Sequence, residues 1–294
     1  MKTPRRTRTP VESKEIPSLV NRIIDNGRYV LQKRIGSGGY SVVYLAIDLH
    51  SVEKHEVAVK CLMHRTLSQQ QKLYNEVLLH KSASHLAGVI DIYDTVEEDD
   101  FTFIILEYCS GGDLFSMVTE HRLYLGKDEY IRRVFLQLLE TISSLHELGI
   151  YHRDLKPENV MCSRDGMKVK VADFGLATDS EHSDQFGSGS IYYMTPECIA
   201  GCYTDALPAY STRASDIWAL GVILVNLITS RSPWRCAMQS DPAFHRYTRD
   251  SNSLHEMLPI SKAAFKFVDR IFRNHGNNLS LTDLRKEFLE IDSF

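Results

Sequence analysis

Apolar and polar positions change their rhythm about a third of the way along the chain. Tyr29–Gly36, Val42–Asp48 and Glu56–Leu62 are rich in β-branched and aromatic residues and predict strands. Leu67–Ser82 places apolar residues at helical spacing, and Val89–Glu97 and Phe101–Tyr108 predict two more strands. After Gly111-Gly112 the helical period dominates. Tyr130–Leu148 sets Val134, Leu138, Ile142 and Leu145 on one face. Ser215–Leu227 is apolar almost all round and reads as a buried helix, while Ser261–Phe272 and Thr282–Glu290 are amphipathic. The pattern predicts an α+β chain, with a small β-rich N-lobe at about 28–108, a larger helical C-lobe at about 113–290 and no internal repeat.

Residues 1–27, with Arg5, Arg6 and Arg8 among Thr, Pro and Ser, read as a disordered basic tail, with a nuclear address as the alternative reading. Hydrophobic residues make up 43% and charged residues 24%, ordinary for a soluble globular chain. The net charge of −4 argues against a dedicated nucleic-acid binder, so no stable nucleic-acid contact is expected. The six cysteines form no C-x-x-C pair and suggest thiols in a reducing compartment. No apolar stretch follows the N-terminal charges, and the longest apolar run, Ile217 to Val225, is short for a membrane span. These features predict a monomer without membrane contact, cytoplasmic, with the nucleus as a second location.

Three stretches carry chemistry. Ile35-Gly36-Ser37-Gly38-Gly39-Tyr40-Ser41-Val42-Val43 lies between two predicted strands, where glycines let backbone N–H groups approach phosphates. Alone it reads equally well as a turn. Val57-Ala58-Val59-Lys60 is a strand ending in lysine, with Glu76 on the next helix as the candidate partner; alone, the lysine reads as a solvated edge. His152-Arg153-Asp154-Leu155-Lys156-Pro157-Glu158-Asn159 follows a long helix, and Asp173-Phe174-Gly175 stands 19 residues after Asp154. Together these supply a carboxylate for a substrate hydroxyl, an amide oxygen for a metal and a second carboxylate for that metal.

In these stretches, and in Thr195-Pro196-Glu197 and Asp216-x-Trp218-x-x-Gly221, the chain resembles the eukaryotic protein kinase family over residues 28–290. FGSGSIYYMTPE, SPWRCAMQSDPAFHRY and LPIS resemble, more narrowly, the fungal kinases related to the fission-yeast repressor of meiosis. The resemblance implies a two-lobed fold, ATP and Mg2+ as cofactors and proteins as substrates. Lys60 would hold the α- and β-phosphates and Glu76 would orient it as an ion pair. Asn159 and Asp173 would bind magnesium, Asp154 would accept the hydroxyl proton and Lys156 would balance the charge of the moving phosphoryl group. Leu106 falls at the gatekeeper position, Glu107 to Cys109 would form the adenine hinge, and Val43, Ala58 and Met161 would sandwich the ring.

The Leu-Lys-Pro-Glu-Asn after Asp154, and Ser190 before Thr195, resemble serine/threonine kinases rather than tyrosine kinases. A catalytically weak pseudokinase or scaffold is the alternative; its mark, loss of Lys60, Asp154 or Asp173, is missing. Three departures set expectations. His80 replaces a large apolar residue and is expected to be packed. Asn278 stands where the family's arginine pairs with the equivalent of Glu197, so Glu197 is expected to lack its usual partner. Phe186 stands where the activating phosphate is usually carried. Asp179, Glu181 or Asp184 is therefore expected to reach Arg153 as a built-in anion, and transfer is expected not to need a phosphate within Ser180–Ser190; the competing reading puts one on Ser183 or Ser188. Asp113 and Glu158 match positions that favour basic residues before the acceptor, and Asn226 breaks that set.

Overall fold

A computed structural model describes residues 16–38, 41–63, 66–204 and 207–294; Gly39 and Tyr40 of the glycine-rich loop, and the first 15 residues, lie outside the described residues. The chain forms two compact units. One takes the described residues up to Met63 together with Tyr93–Tyr108, and the other takes Thr66–Ile92 and Cys109–Phe294.

The first unit is a sheet of six strands: β1 (Ile23–Ile24), β2 (Tyr29–Ser37), β3 (Ser41–Asp48), β4 (Glu56–Met63), β5 (Ile92–Glu98) and β6 (Phe101–Glu107), in the order β1-β2-β3-β4-β6-β5. Antiparallel registers join β1 to β2, β2 to β3, β3 to β4 and β4 to β6. Side chains alternate faces along each strand. Tyr29, Leu31, Val42, Tyr44, Val57, Val59, Phe103 and Ile105 build a small apolar core. The register sets Val43 opposite Gly36 and Lys60, and Ala58 opposite Leu45 and Leu106.

Part of the stretch read as a tail, residues 16–27, carries packed side chains. Leu19 and Ile24 are buried in the sheet core, and Leu19 N–H donates to the Tyr44 hydroxyl at 3.0 Å. Ile16, Leu19 and Ile24 supply enough apolar surface to order residues that composition alone assigns to a tail.

The second unit contains α1 (Leu67–Ala83), α2 (Leu114–Thr119), α3 (Asp128–Glu147), β7 (Val160–Cys162), β8 (Val169–Val171), β9 (His182–Ser183), α4 (Pro196–Ala200), β10 (Tyr210–Ser211), α5 (Thr212–Thr229), α6 (Pro242–Arg249), α7 (Asn252–Met257), α8 (Lys262–Arg273) and α9 (Leu281–Leu289). Helix α5 is its centre. Ser211 caps it by accepting from Ala214 N–H, and every residue in it except Arg213 is buried. It is long and apolar enough to cross a membrane, but 94% of that stretch is packed inside the unit. Phe135 of α3 meets Phe267 of α8 and Phe288 of α9 ring to ring. All six cysteines are free thiols. The two units give the expected two-lobed α+β fold.

Candidate active site

The segment between α3 and β7 is anchored by one buried carboxylate. Asp216, in the first turn and a half of α5, is 1% exposed. Its Oδ1 accepts from Arg153 N–H at 2.8 Å, and its Oδ2 accepts from His152 N–H at 2.8 Å and lies 2.9 Å from His146 Nε2. Arg153 adopts φ +66°, a left-handed backbone costing about 1–2 kcal/mol for a residue with a side chain. The two N–H bonds to Asp216 hold that conformation.

Asp154 follows directly, with its carboxylate held from three sides. Ser190 N–H donates to Oδ1 at 3.0 Å, Lys156 Nζ lies 2.6 Å from Oδ2, and Asn159 Nδ2 donates to Oδ2 at 3.1 Å and to the Asp154 carbonyl at 2.9 Å. Ser190 thus reaches Asp154 through its main-chain N–H. A Cβ on Gly189, at φ +108°, would sit 3.1 Å from Asp154 Oδ1, so this close approach suits glycine.

Asp173 also has a left-handed backbone, φ +63°, and Gly175 N–H reaches its Oδ1 at 3.4 Å. Asn159 turns its NH2 toward Asp154 and keeps its amide oxygen for another ligand. A carboxylate and an amide oxygen, with phosphate and water to complete the shell, fit magnesium, a hard ion that prefers oxygen. Behind Asp173, Phe174 lies between two imidazoles. His80 stacks on it with centroids 4.6 Å apart, and His152 meets it at 5.4 Å. His80 is buried as expected, with Nε2 2.7 Å from the Ile90 carbonyl. Glu76 belongs to the same unit, and a Cβ on Gly175 would lie 3.4 Å from its Oε2.

The other expected nucleotide residues are placed within their own units. Ile35, Gly36, Ser37, Ser41, Val42 and Val43 sit on the β2–β3 hairpin, Gly38 is in its turn, and Ala58 and Lys60 are on β4. Val43 and Lys60 are cross-strand partners and so share a face, while Val42 points into the sheet core. Leu106 and Glu107 end β6. In the second unit Cys109 precedes a turn closed by Gly112 N–H on its carbonyl, and Met161 lies half-buried on β7, bridged to Asp113.

One expectation is extended and one is corrected. Glu197 lacks the family's arginine, as expected, but His275 takes that place, with its Nδ1 hydrogen-bonded to Oε1. Burial pushes the Glu197 carboxyl up, but the bonds from His275, its own backbone and Thr195 outweigh this and hold it below its ordinary value. His275 takes a left-handed turn after α8, φ +47°, which carries its ring back toward α4 from a position no linear alignment marks. Nor do Asp179, Glu181 or Asp184 reach Arg153. Its Nε donates to the Tyr210 hydroxyl at 3.1 Å, and its terminal nitrogens donate to the Gln185 side-chain oxygen at 3.3 Å and backbone oxygen at 3.4 Å. Glu181 is engaged by the Tyr151 hydroxyl instead. His146, Gln185, Tyr210 and His275 are the site residues that sequence reasoning missed. None belongs to a motif, and only folding brings them in.

On the acceptor side, Asp113 Oδ1 caps α2 by accepting from Ser116 N–H at 2.8 Å, and Asn226 is held by the Tyr193 hydroxyl at 3.0 Å. Glu158 is exposed.

Comparison with known proteins adds the family context. The model described as protein kinase domain matches residues 29–290. The fission-yeast (Schizosaccharomyces pombe) protein named negative regulator of sexual conjugation and meiosis is 38% identical over 85% of this chain and 57% of its own length. The serine/threonine-protein kinase ksp1 of the same yeast is 34% identical over 81% of this chain and 51% of its own length. VHS1 of Saccharomyces cerevisiae, also named a serine/threonine-protein kinase, is 32% identical over 85% and 54%. The chain thus spans about half the length of the curated relatives it matches.

Proposed function

Because this chain belongs to the protein kinase family, we propose that it is catalytically active and transfers the γ-phosphate of ATP to serine and threonine hydroxyls of proteins. The observation that carries this reading is the Asp154 carboxylate, fixed at both oxygens by Ser190 N–H, Lys156 and Asn159. Phosphoryl transfer is mainly positioning and charge neutralisation, so a preorganised carboxylate beside a lysine is the chemistry required. Asp154 would orient the acceptor hydroxyl and take its proton as the bond to phosphorus forms. Lys156 would balance negative charge on the transferring oxygens. Magnesium held by Asn159 Oδ1 and Asp173, when bound, would neutralise the phosphates.

The choice of serine and threonine is supported by Lys156 in the catalytic loop and by the names of the relatives. A mild preference for a basic residue before the acceptor rests on exposed Glu158. The test is transfer from radiolabelled ATP to a generic protein substrate, followed by phosphoamino-acid analysis. Phosphoserine and phosphothreonine above the Asp154→Asn background are expected. Transfer no higher than that background would make the chain a scaffold.

A further inference from the structure

A cavity opens between α2, the residues just after Asp154 and the end of α5. It gives about 50 Å³ of room, against roughly 10–15 Å³ for one water, so it can hold the few heavy atoms that end a leucine side chain. Phe115 and Val118 of α2 line one side, and Pro157, three residues after Asp154, lines another.

The polar side chains of the lining are spent on one another. The Tyr193 hydroxyl donates to Asn226 Oδ1 at 3.0 Å, and the Asn226 NH2 donates to the Arg231 carbonyl at 2.9 Å and to Ser232 Oγ at 3.3 Å. The oxygen and both hydrogens of that amide are thereby engaged. The Thr119 hydroxyl donates to the Phe115 carbonyl of its own helix at 2.8 Å. Burial pushes the Tyr193 phenol up, and the charge of Glu158 adds to this, so the hydroxyl stays a donor at neutral pH. A polar side chain entering here would have to break these bonds, whereas an apolar one gives up only water. Among the described residues no carboxylate lines the cavity, and the charged residue at its edge is the exposed Arg231, which repels lysine and arginine.

Tyr193 joins this cavity to the Asp154 carboxylate. It also lines a depression of about 10 Å³ shared with Asp154, Ser190 and Asp216, and its N–H donates to the Ser190 carbonyl at 2.9 Å. One tyrosine side chain separates the two, a gap that roughly three to five residues of extended chain, at about 3.3 Å each, would bridge. We propose that the cavity binds an apolar side chain of leucine size in the protein substrate, roughly three to five residues from the acceptor hydroxyl, an assignment that rests on Asp154 as the acceptor site. A basic residue favoured by Glu158 would occupy a different position of the same substrate.

The test uses peptides with a central serine and about five residues on each side, otherwise alanine, that carry leucine, arginine or aspartate at one position in turn. Binding to the full chain is read by fluorescence anisotropy and transfer from radiolabelled ATP. At one position leucine should tighten binding and raise kcat/KM by about tenfold or more over alanine, arginine and aspartate. Phe115→Ala removes a ring that is already 40% exposed and should cut this preference to about twofold. Thr119→Phe, one helical turn on, should fill the cavity and do the same. Arginine preferred over leucine at every position, or a leucine preference that neither variant changes, overturns the proposal. Leucine-selective binding that both variants weaken, with no transfer to any peptide, upholds the cavity and rejects the kinase reading instead. Transfer without leucine selectivity rejects the cavity and leaves the kinase reading standing.

Discussion

Asp216→Asn tests how the catalytic segment is held. The buried carboxylate receives the His152 and Arg153 main-chain N–H groups, each at 2.8 Å, and faces His146 Nε2 at 2.9 Å. Asparagine keeps the shape but offers one oxygen, and its NH2 must face at least one of these groups. One charge-assisted bond, worth about 1.5–3 kcal/mol, is lost, and a buried donor is left unsatisfied at about 1–3 kcal/mol. The overlap of these costs puts the loss at roughly 2–5 kcal/mol. At about 2–4 °C per kcal/mol for a unit of this size, Tm should fall by roughly 4–20 °C. Arg153 N–H also fixes the left-handed turn leading into Asp154, so kcat should fall on the order of 100-fold as Asp154 shifts. Thermal unfolding and steady-state transfer at a temperature where the variant is folded provide the measurements. A Tm within about 1 °C of the parent and an unchanged kcat would refute the reasoning, since a loss of several kcal/mol could not then be present.

Asp154→Asn should abolish transfer while ATP binding, read by calorimetry, stays near the parent value; Lys60→Met should be inactive through misplaced phosphates. Glu197 is held below its ordinary value of 4.5, so its contribution to stability is present above about pH 4.5 and lost as pH falls through the depressed value. His275→Ala should lower Tm at neutral pH and flatten the fall in Tm below about pH 4.5, where the depressed carboxyl takes up its proton; an unchanged acid limb would count against the pairing. Burial pushes the Cys61 and Cys162 thiols up to about 12, whereas Cys202 is exposed, so brief iodoacetamide treatment near pH 8, a mild alkaline condition, should label Cys202 well before those two. Mass spectrometry of the digested protein reads the order.

Local chemistry was legible in the sequence wherever neighbours in the chain are also neighbours in space. Strands β2 to β6, helices α1, α3, α5, α8 and α9, and the candidate site residues between His152 and Asn159 each depend on periodicity or on a short loop. The two-residue strands β1, β9 and β10 carry no periodic signal, because each exists only through the partner it pairs with. Residues 16–27 read as a tail by composition, yet Leu19 and Ile24 become core once the sheet offers them an apolar face. His80 could be expected to pack, but its stacking on Phe174 required α1 and the Asp173 segment to be placed together. Charge partners were the least legible. Counting along the loop after Gly175 offered Arg153 three carboxylates, and the fold gave it Gln185 and Tyr210. Alignment left Glu197 unpartnered, and a left-handed turn brought His275 to it. The sequence by itself determined which groups make up the candidate site, since their spacing is local. The tertiary structure decided which charges are paired, because pairing needs contact within about 4 Å between side chains that lie tens of residues apart in the chain.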